Sequence, residues 1–155
     1  MLGDRSSAQD ATQDAFFSAW MKIRSCQGTN FRAWLMSITA NACRDHLRKI
    51  KRRPTIPIES LVQEPAASPA AESPEDYALR RELDAEIQKA LSALPSQQRL
   101  AVVLCDIQGF SYEEIAKIMG CSLGTVRSRI SRGRSQLRDY LSLRELLPHD
   151  MRLKQ

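Results

Sequence analysis

The stretch from Ser111 to Leu137, SYEEIAKIMGCSLGTVRSRISRGRSQL, constrains the fold more than any other part of the chain. It reads as two short helices joined by a tight turn. Ser111 can accept from an early backbone N–H, while Glu114, three residues on, reaches back to complete a capping box. Ile115, Ala116, Ile118 and Met119 supply the buried side of the first helix, and Ala116 is small enough for a neighbouring helix to approach closely. Gly120 ends that helix, because a glycine tolerates the left-handed backbone of a sharp turn, and Ser122 is placed to cap the next one. In the second helix Val126, Ile130 and Leu137 recur at helical spacing toward a core, which leaves Thr125, Arg127, Ser128, Ser131 and Arg132 directed outward. Cap, turn glycine and basic helix come in the order of a helix-turn-helix DNA-binding motif. Arginine and hydroxyl side chains contact phosphates and base edges, and no Asp or Glu lies between Glu114 and Asp139 to repel a polyanion. The alternative is a basic, solvated helix in a small α-domain.

The rest of the composition agrees with a nucleic-acid partner. The net charge is +5, and the positive side chains concentrate in two segments, Arg44 to Arg53 and Arg127 to Arg138. With 155 residues, 43% of them hydrophobic, the chain can build one or two ordinary cores. Cys26, Cys43, Cys105 and Cys121 are scattered without CxxC spacing, and His46 and His149 lie far apart, so free thiols in a reducing cytoplasm are expected rather than zinc. No run of about 18 apolar residues and no export signal is present, which predicts a cytoplasmic protein without a membrane partner. There is no glycine-rich phosphate loop, metal-ligand cluster or nucleophilic triad, so neither catalysis, nor a cofactor, nor a small-molecule substrate is expected.

Taken in order, the chain predicts helices throughout and no β-alternation. The first runs from about Ser7 to Arg24, with an apolar stripe of Ala8, Ala11, Ala15, Phe16, Ala19, Trp20 and Ile23. Asp4, Asp10 and Asp14 sit near its start, where the helix dipole favours acids, and Gln9, Gln13 and Lys22 form an opposite polar face. After a loop from Ser25 to Asn30, a second helix capped by Asn30 runs from Phe31 to Arg53 and carries most of its basic residues at its C-terminal end. Pro54, Pro57, Pro65 and Pro69 make the region to Ser73 a linker that lets two modules dock several tens of Å apart. Ser73 and Pro74 then open a helix carrying Leu83, Ile87, Ala90, Leu91 and Leu94. SQQRLAVVLCDI forms another, with Leu100, Val103, Leu104 and Ile107 available to a core, and Gly109 breaks it before Ser111.

Two all-α modules, each with a basic helix and joined by a Pro/Ala-rich linker, resemble the two domains of the bacterial extracytoplasmic function (ECF) sigma factors of the sigma-70 family. SAQDATQDAFFSAW looks like the family's region 2.2 and FRAWLMSITANACRDHLRKIKRR like its regions 2.3 to 2.4, while LSALPSQQRLAVVLCDIQGFSYEEIAKIMGCSLGTVRSRISRGRSQLRDYL is similar to region 4 almost without a gap. The resemblance implies a region 2-like module at 1–53, a linker at 54–73, a region 4-like domain at 74–141 and a tail at 142–155. The family normally has further helices before the SAQDATQDAFFSAW equivalent, so the first module is expected to be incomplete.

By position, the resemblance places Arg127, Ser128, Ser131 and Arg132 in the major groove of the minus-35 element, with Thr125 and Arg129 close to the backbone. It makes Ser25 to Asn30, including Gln27 and Asn30, the loop that captures a flipped base of the minus-10 element, and puts Asn41, Arg44 and Arg48 on the helix that tracks that strand. Phe31 and Trp34 are expected in the core. Asp10, Gln13 and Asp14 match the surface that binds the clamp helices of RNA polymerase. The expected function is a sigma factor that directs core RNA polymerase to promoter DNA, with an anti-sigma factor as a further partner. Two other readings stay open: a helix-turn-helix regulator, and an initiation-defective sigma-like protein that sequesters polymerase or an anti-sigma factor.

Overall fold

The computed structural model describes residues 1–26, 30–52 and 74–144, and every regular element among them is helical. These elements are α1 (Arg5–Met21), a 3-10 turn (Ile23–Ser25), α2 (Phe31–Arg52), α3 (Pro74–Ala93), α4 (Ser96–Val102) continuing as a π-turn (Val103–Ile107), α5 (Tyr112–Met119) and α6 (Leu123–Leu143). The all-α expectation holds. The predicted linker, the Ser73 cap and the tail beyond residue 144 lie outside the described residues.

In α1, Asp4 is the cap: its carboxylate accepts from the Ser7 amide at 2.7 Å, so the helix begins two residues before the expected start. Ala11, Ala15 and Ala19, spaced four apart, are the buried residues of this helix, and α1 packs along α2. The expected stripe is therefore only half right. Phe16, Phe17, Trp20 and Met21 are 62 to 71% exposed. At about 100° per residue the alanines and the aromatics occupy opposite arcs, and one neighbour can cover only one of them. The alanine arc lets two backbones approach, so the aromatics share the outward arc with Gln9 and Gln13 rather than opposing it.

Asn30 caps α2 as expected, its Oδ1 accepting from the amides of Arg32 at 3.1 Å and Ala33 at 3.4 Å. Phe31 does not enter the core. It is 53% exposed and lies tilted against half-buried Trp34 with ring centres 5.8 Å apart, because as the first helical residue it projects from the end of the α1–α2 pair. Further along, Ala40 joins a core formed with Leu100, Leu104, Phe110, Ile115, Ile118, Met119, Val126 and Ile130, with Ala33 and Met36 packed against it. The two modules thus share one core.

Polar contacts close the same junction. Asn30 Nδ2 donates to Glu114 Oε1 at 3.1 Å, and Arg32 donates to the Gln108 carbonyl while its guanidinium lies 4.3 Å from the Phe110 ring centre. Arg99 donates to the carbonyl of Met1 at 2.7 Å and to those of Ser92 at 2.6 Å and Leu94 at 3.1 Å, closing the carbonyl end of α3 and tying the N-terminus to it.

A smaller cluster of Leu91, Leu94 and Val102, with Val103 and Leu137 against it, joins α3 and α4 to α6. Leu83 and Ile87 stay exposed on the far part of α3, and Ile107, expected in the core, is exposed as well. The π-turn explains Ile107: the Gln108 amide bonds to the Val103 carbonyl, five residues back, and the extra residue rotates the succeeding side chains out of the α4 register.

Candidate nucleic-acid interface

The α5–α6 unit is built as its sequence dictates. The Ser111 hydroxyl accepts from the Glu114 amide at 3.2 Å and Glu114 Oε2 accepts from the Ser111 amide at 2.9 Å, so both halves of the capping box form. These bonds, together with the one from Asn30 and the nearby Arg32, hold the Glu114 carboxyl below its ordinary pKa, the Ser111 amide being the largest cause. Gly120 takes the left-handed conformation (φ 61°, ψ 45°), its amide and that of Cys121 returning to the last carbonyls of α5. Ser122 then caps α6, accepting from the Thr125 amide at 3.2 Å, and its hydroxyl lies 2.9 Å from that of Thr125.

Val126 and Ile130 of α6 are buried among α4 and α5, which turns the opposite side to solvent. Arg127, Ser128, Ser131 and Arg132 are all exposed there, although the Ser128 hydroxyl donates back to the Thr125 carbonyl at 3.0 Å. Thr125 and Arg129 are half-buried on its flank, Arg129 donating to the Cys121 sulfur at 3.4 Å. α6 therefore presents two exposed arginines and two hydroxyls within two turns. That spacing suits one major groove and its bordering phosphates.

Two features of α6 escape sequence reading. Gly133 is buried where α4 crosses, and Arg134 donates through Nε to Asp106 Oδ2 at 3.1 Å and through Nη2 to Oδ1, fastening α6 to the π-turn. The paired carboxylate raises the Arg134 pKa further above the ordinary arginine value. The helical period does mark Gly133 as inward-facing, but nothing local tells a packing glycine from a flexible one.

The second basic surface runs along α2. Asn41 accepts from Arg44 Nη2 at 2.5 Å, Arg44 Nε donates to the Ala40 carbonyl at 3.2 Å, and Arg48 pairs with Asp45 at 3.0 Å in the open. Arg44, Leu47, Arg48 and Lys51 line a shallow cleft closed on its other side by Ser96 and Gln97. Asn30 does not join them: eleven residues earlier, about 16 Å along the helix, it is committed to α5 through Glu114. Gln27 lies outside the described residues. Asp10, Gln13 and Asp14 are exposed on α1, beside the aromatic arc.

Comparison with known proteins turns on the same two units. Residues 1–53 match the family model for sigma-70 region 2, and residues 84–137 that for sigma-70, region 4. The RNA polymerase sigma-H factor of Pseudomonas aeruginosa is 37% identical over 142 residues, covering 86% of this chain and 72% of that one. The ECF RNA polymerase sigma-E factor of Escherichia coli is 36% identical over 134 residues, covering 83% and 70%. The chain belongs to the ECF sigma factors.

Among other ECF sigma factors, SigE of Mycolicibacterium smegmatis is 45% identical over 143 residues, covering 92% of this chain. This chain spans about half of SigE, 54% of its length. The ECF fold also matches the sigma factor RpoE of Bartonella quintana, solved in complex with the anti-sigma factor NepR. That match has a TM-score of 0.70 at 33% identity and covers 90% of this chain and 84% of that one. CnrH, solved with the cytosolic domain of CnrY, matches with a TM-score of 0.60 at 29% identity, covering 87% and 71%.

Proposed function

We propose that this chain directs core RNA polymerase to promoters, binding polymerase through α1 and promoter DNA through α6 and α2, without catalysing a reaction of its own. The observation that carries this reading is the outward side of α6, where Arg127, Ser128, Ser131 and Arg132 stand exposed on a rigidly capped helix. On that reading Arg127 and Arg132 approach guanine edges or the flanking phosphates of the minus-35 element, and Thr125 and Arg129 support the backbone contact. Asn41, Arg44 and Arg48 follow the minus-10 strand, with Gln27 and Asn30 at the pocket for a flipped base, and Asp10, Gln13 and Asp14 meet polymerase. An anti-sigma factor, the kind of partner seen with RpoE, is a second protein ligand, and the site of action is the cytoplasm.

Simultaneous reading of both elements demands a change of shape. Elements centred at minus 35 and minus 10 are about 25 base pairs apart, roughly 85 Å of duplex. Asn30 and Glu114 are in hydrogen-bond contact, and α6 is only about 32 Å long. The α2–α5 junction therefore separates before both elements are bound. The test is a mobility-shift titration of promoter fragments with core polymerase. Promoter-selective complexes that need both the chain and core polymerase support the proposal, and selective binding by the chain alone, unchanged by polymerase, favours a regulator.

A further inference from the structure

We propose that Gly124 is a positioning residue of the promoter contact: its missing side chain lets the DNA backbone seat directly against the main chain of α6. The inference deepens the reading of α6 as the promoter-binding helix and rests on it. α6 contains two glycines, Gly124 and Gly133, and glycine is the poorest helix former after proline, so each needs a reason. At Gly133 the reason is internal, since a Cβ there would meet Val102 Cγ2 at 2.7 Å. At Gly124 the fold supplies none. A Cβ built on it meets nothing within 4 Å, its φ lies outside the left-handed region, and the residue is exposed. Nor is it a hinge, because it sits inside the first turn that Ser122 closes by accepting from the Thr125 amide at 3.2 Å.

The surroundings of that empty position identify the partner. Gly124 lies three, four and seven residues before Arg127, Ser128 and Ser131. At about 100° per residue those side chains fall within about 60° of it, on the face opposite Val126, Ile130 and Gly133. Gly124 is therefore the N-terminal member of the exposed arginine and hydroxyl stripe, at the end of a recognition helix that enters the groove first. No Asp or Glu occurs between Glu114 and Asp139, which suits a polyanion. Where the helix end crosses the groove edge, the phosphate backbone is the nearest part of the duplex, and contacts to it fix register and depth rather than read sequence. A methyl group at Gly124 would hold the duplex away from the helix, and would lengthen and misalign the hydrogen bonds that Arg127 and Ser128 make to it.

Binding of labelled promoter fragments to the holoenzyme reconstituted from core polymerase and the full chain tests the proposal, with urea unfolding run on each variant. Gly124→Ala should weaken promoter affinity about tenfold, the worth of a side-chain contact to DNA, and Gly124→Leu should weaken it further. Alanine and leucine are better helix formers than glycine, so stability should hold or rise while affinity falls, which a structural role would not produce. The loss should be uniform across single-substituted minus-35 fragments, because phosphate contact carries no base information, and affinity for core polymerase alone should not change. A Gly124→Ala variant that binds promoter like wild type, a loss confined to one base position, a loss matched by falling stability, or a loss of polymerase affinity instead would each overturn the proposal. Arg127→Ala, measured beside it, separates the two levels. If that variant binds weakly while Gly124→Ala does not, only the role of Gly124 falls; if neither changes affinity, α6 is not the promoter-binding helix and both fall.

Discussion

A Cβ placed on Gly133 would meet Val102 Cγ2 at 2.7 Å, with the Gln98 carbonyl 3.5 Å away. The crossing of α4 and α6 is therefore as close as two backbones with one side chain between them allow. Val102 is buried and cannot swing aside. Overpacking of this kind costs about 1–3 kcal/mol, against a gain of up to ~1 kcal/mol in helix propensity from replacing glycine with alanine. Gly133→Ala should accordingly lower the unfolding free energy by about 1 kcal/mol in urea denaturation, whereas the same change at exposed Gly124, which has open space around it, should be neutral or stabilising.

Glu114 gives the fold an acid-sensitive joint. Its pKa is lower in the folded chain than the ordinary 4.5, so its contribution is present above that value and disappears as pH falls through the folded value. In Glu114→Gln the side chain stays neutral and the cap loses its charge-assisted bonds. Urea unfolding should show wild type more stable than the variant at pH 7, with the gap closing as pH falls from 4.5 through the lower folded value. A gap independent of pH would mean that shape, not charge, matters at the cap.

Arg32 holds the junction between α2 and the π-turn through the Gln108 carbonyl and the Phe110 ring. Arg32→Ala should cost about 1–2 kcal/mol of stability and speed hydrogen exchange in the first turns of α2. The amides of α6 should change less, because Arg32 bonds to the Gln108 carbonyl and stacks on Phe110 rather than contacting α6 itself.

On α6 the exposed arginines should behave differently from the paired one. Arg127→Ala should cost on the order of 1–3 kcal/mol in promoter affinity and relax preference at one base position, read by binding to single-substituted fragments. Arg134→Ala should leave base preference intact, since its guanidinium is engaged with Asp106.

The parts of the fold legible in the sequence are those set by near neighbours. Ser111 with Glu114, Gly120 in the turn and Ser122 before α6 each act over three or four residues, so the helix-turn-helix and its outward arginines follow from local chemistry. The choice of arc on α1 does not. Alanines and aromatics offer two apolar sides, and the distance at which α2 packs decides between them. The approach of Val102 to Gly133 likewise arises between elements far apart in sequence, and the π-turn that expels Ile107, though local, adds a residue to the turn that the helical period does not announce. The docking of Asn30 onto Glu114 joins residues 84 positions apart, and no periodicity announces it.

Run-off transcription with purified core polymerase, this chain and a promoter library reads promoter-directed initiation itself. Transcripts should come from a subset of templates sharing one minus-35 sequence and be lost when Arg127 and Arg132 are both replaced by alanine. Absence of promoter-specific transcripts from a chain that is folded and binds core polymerase would contradict the proposed function.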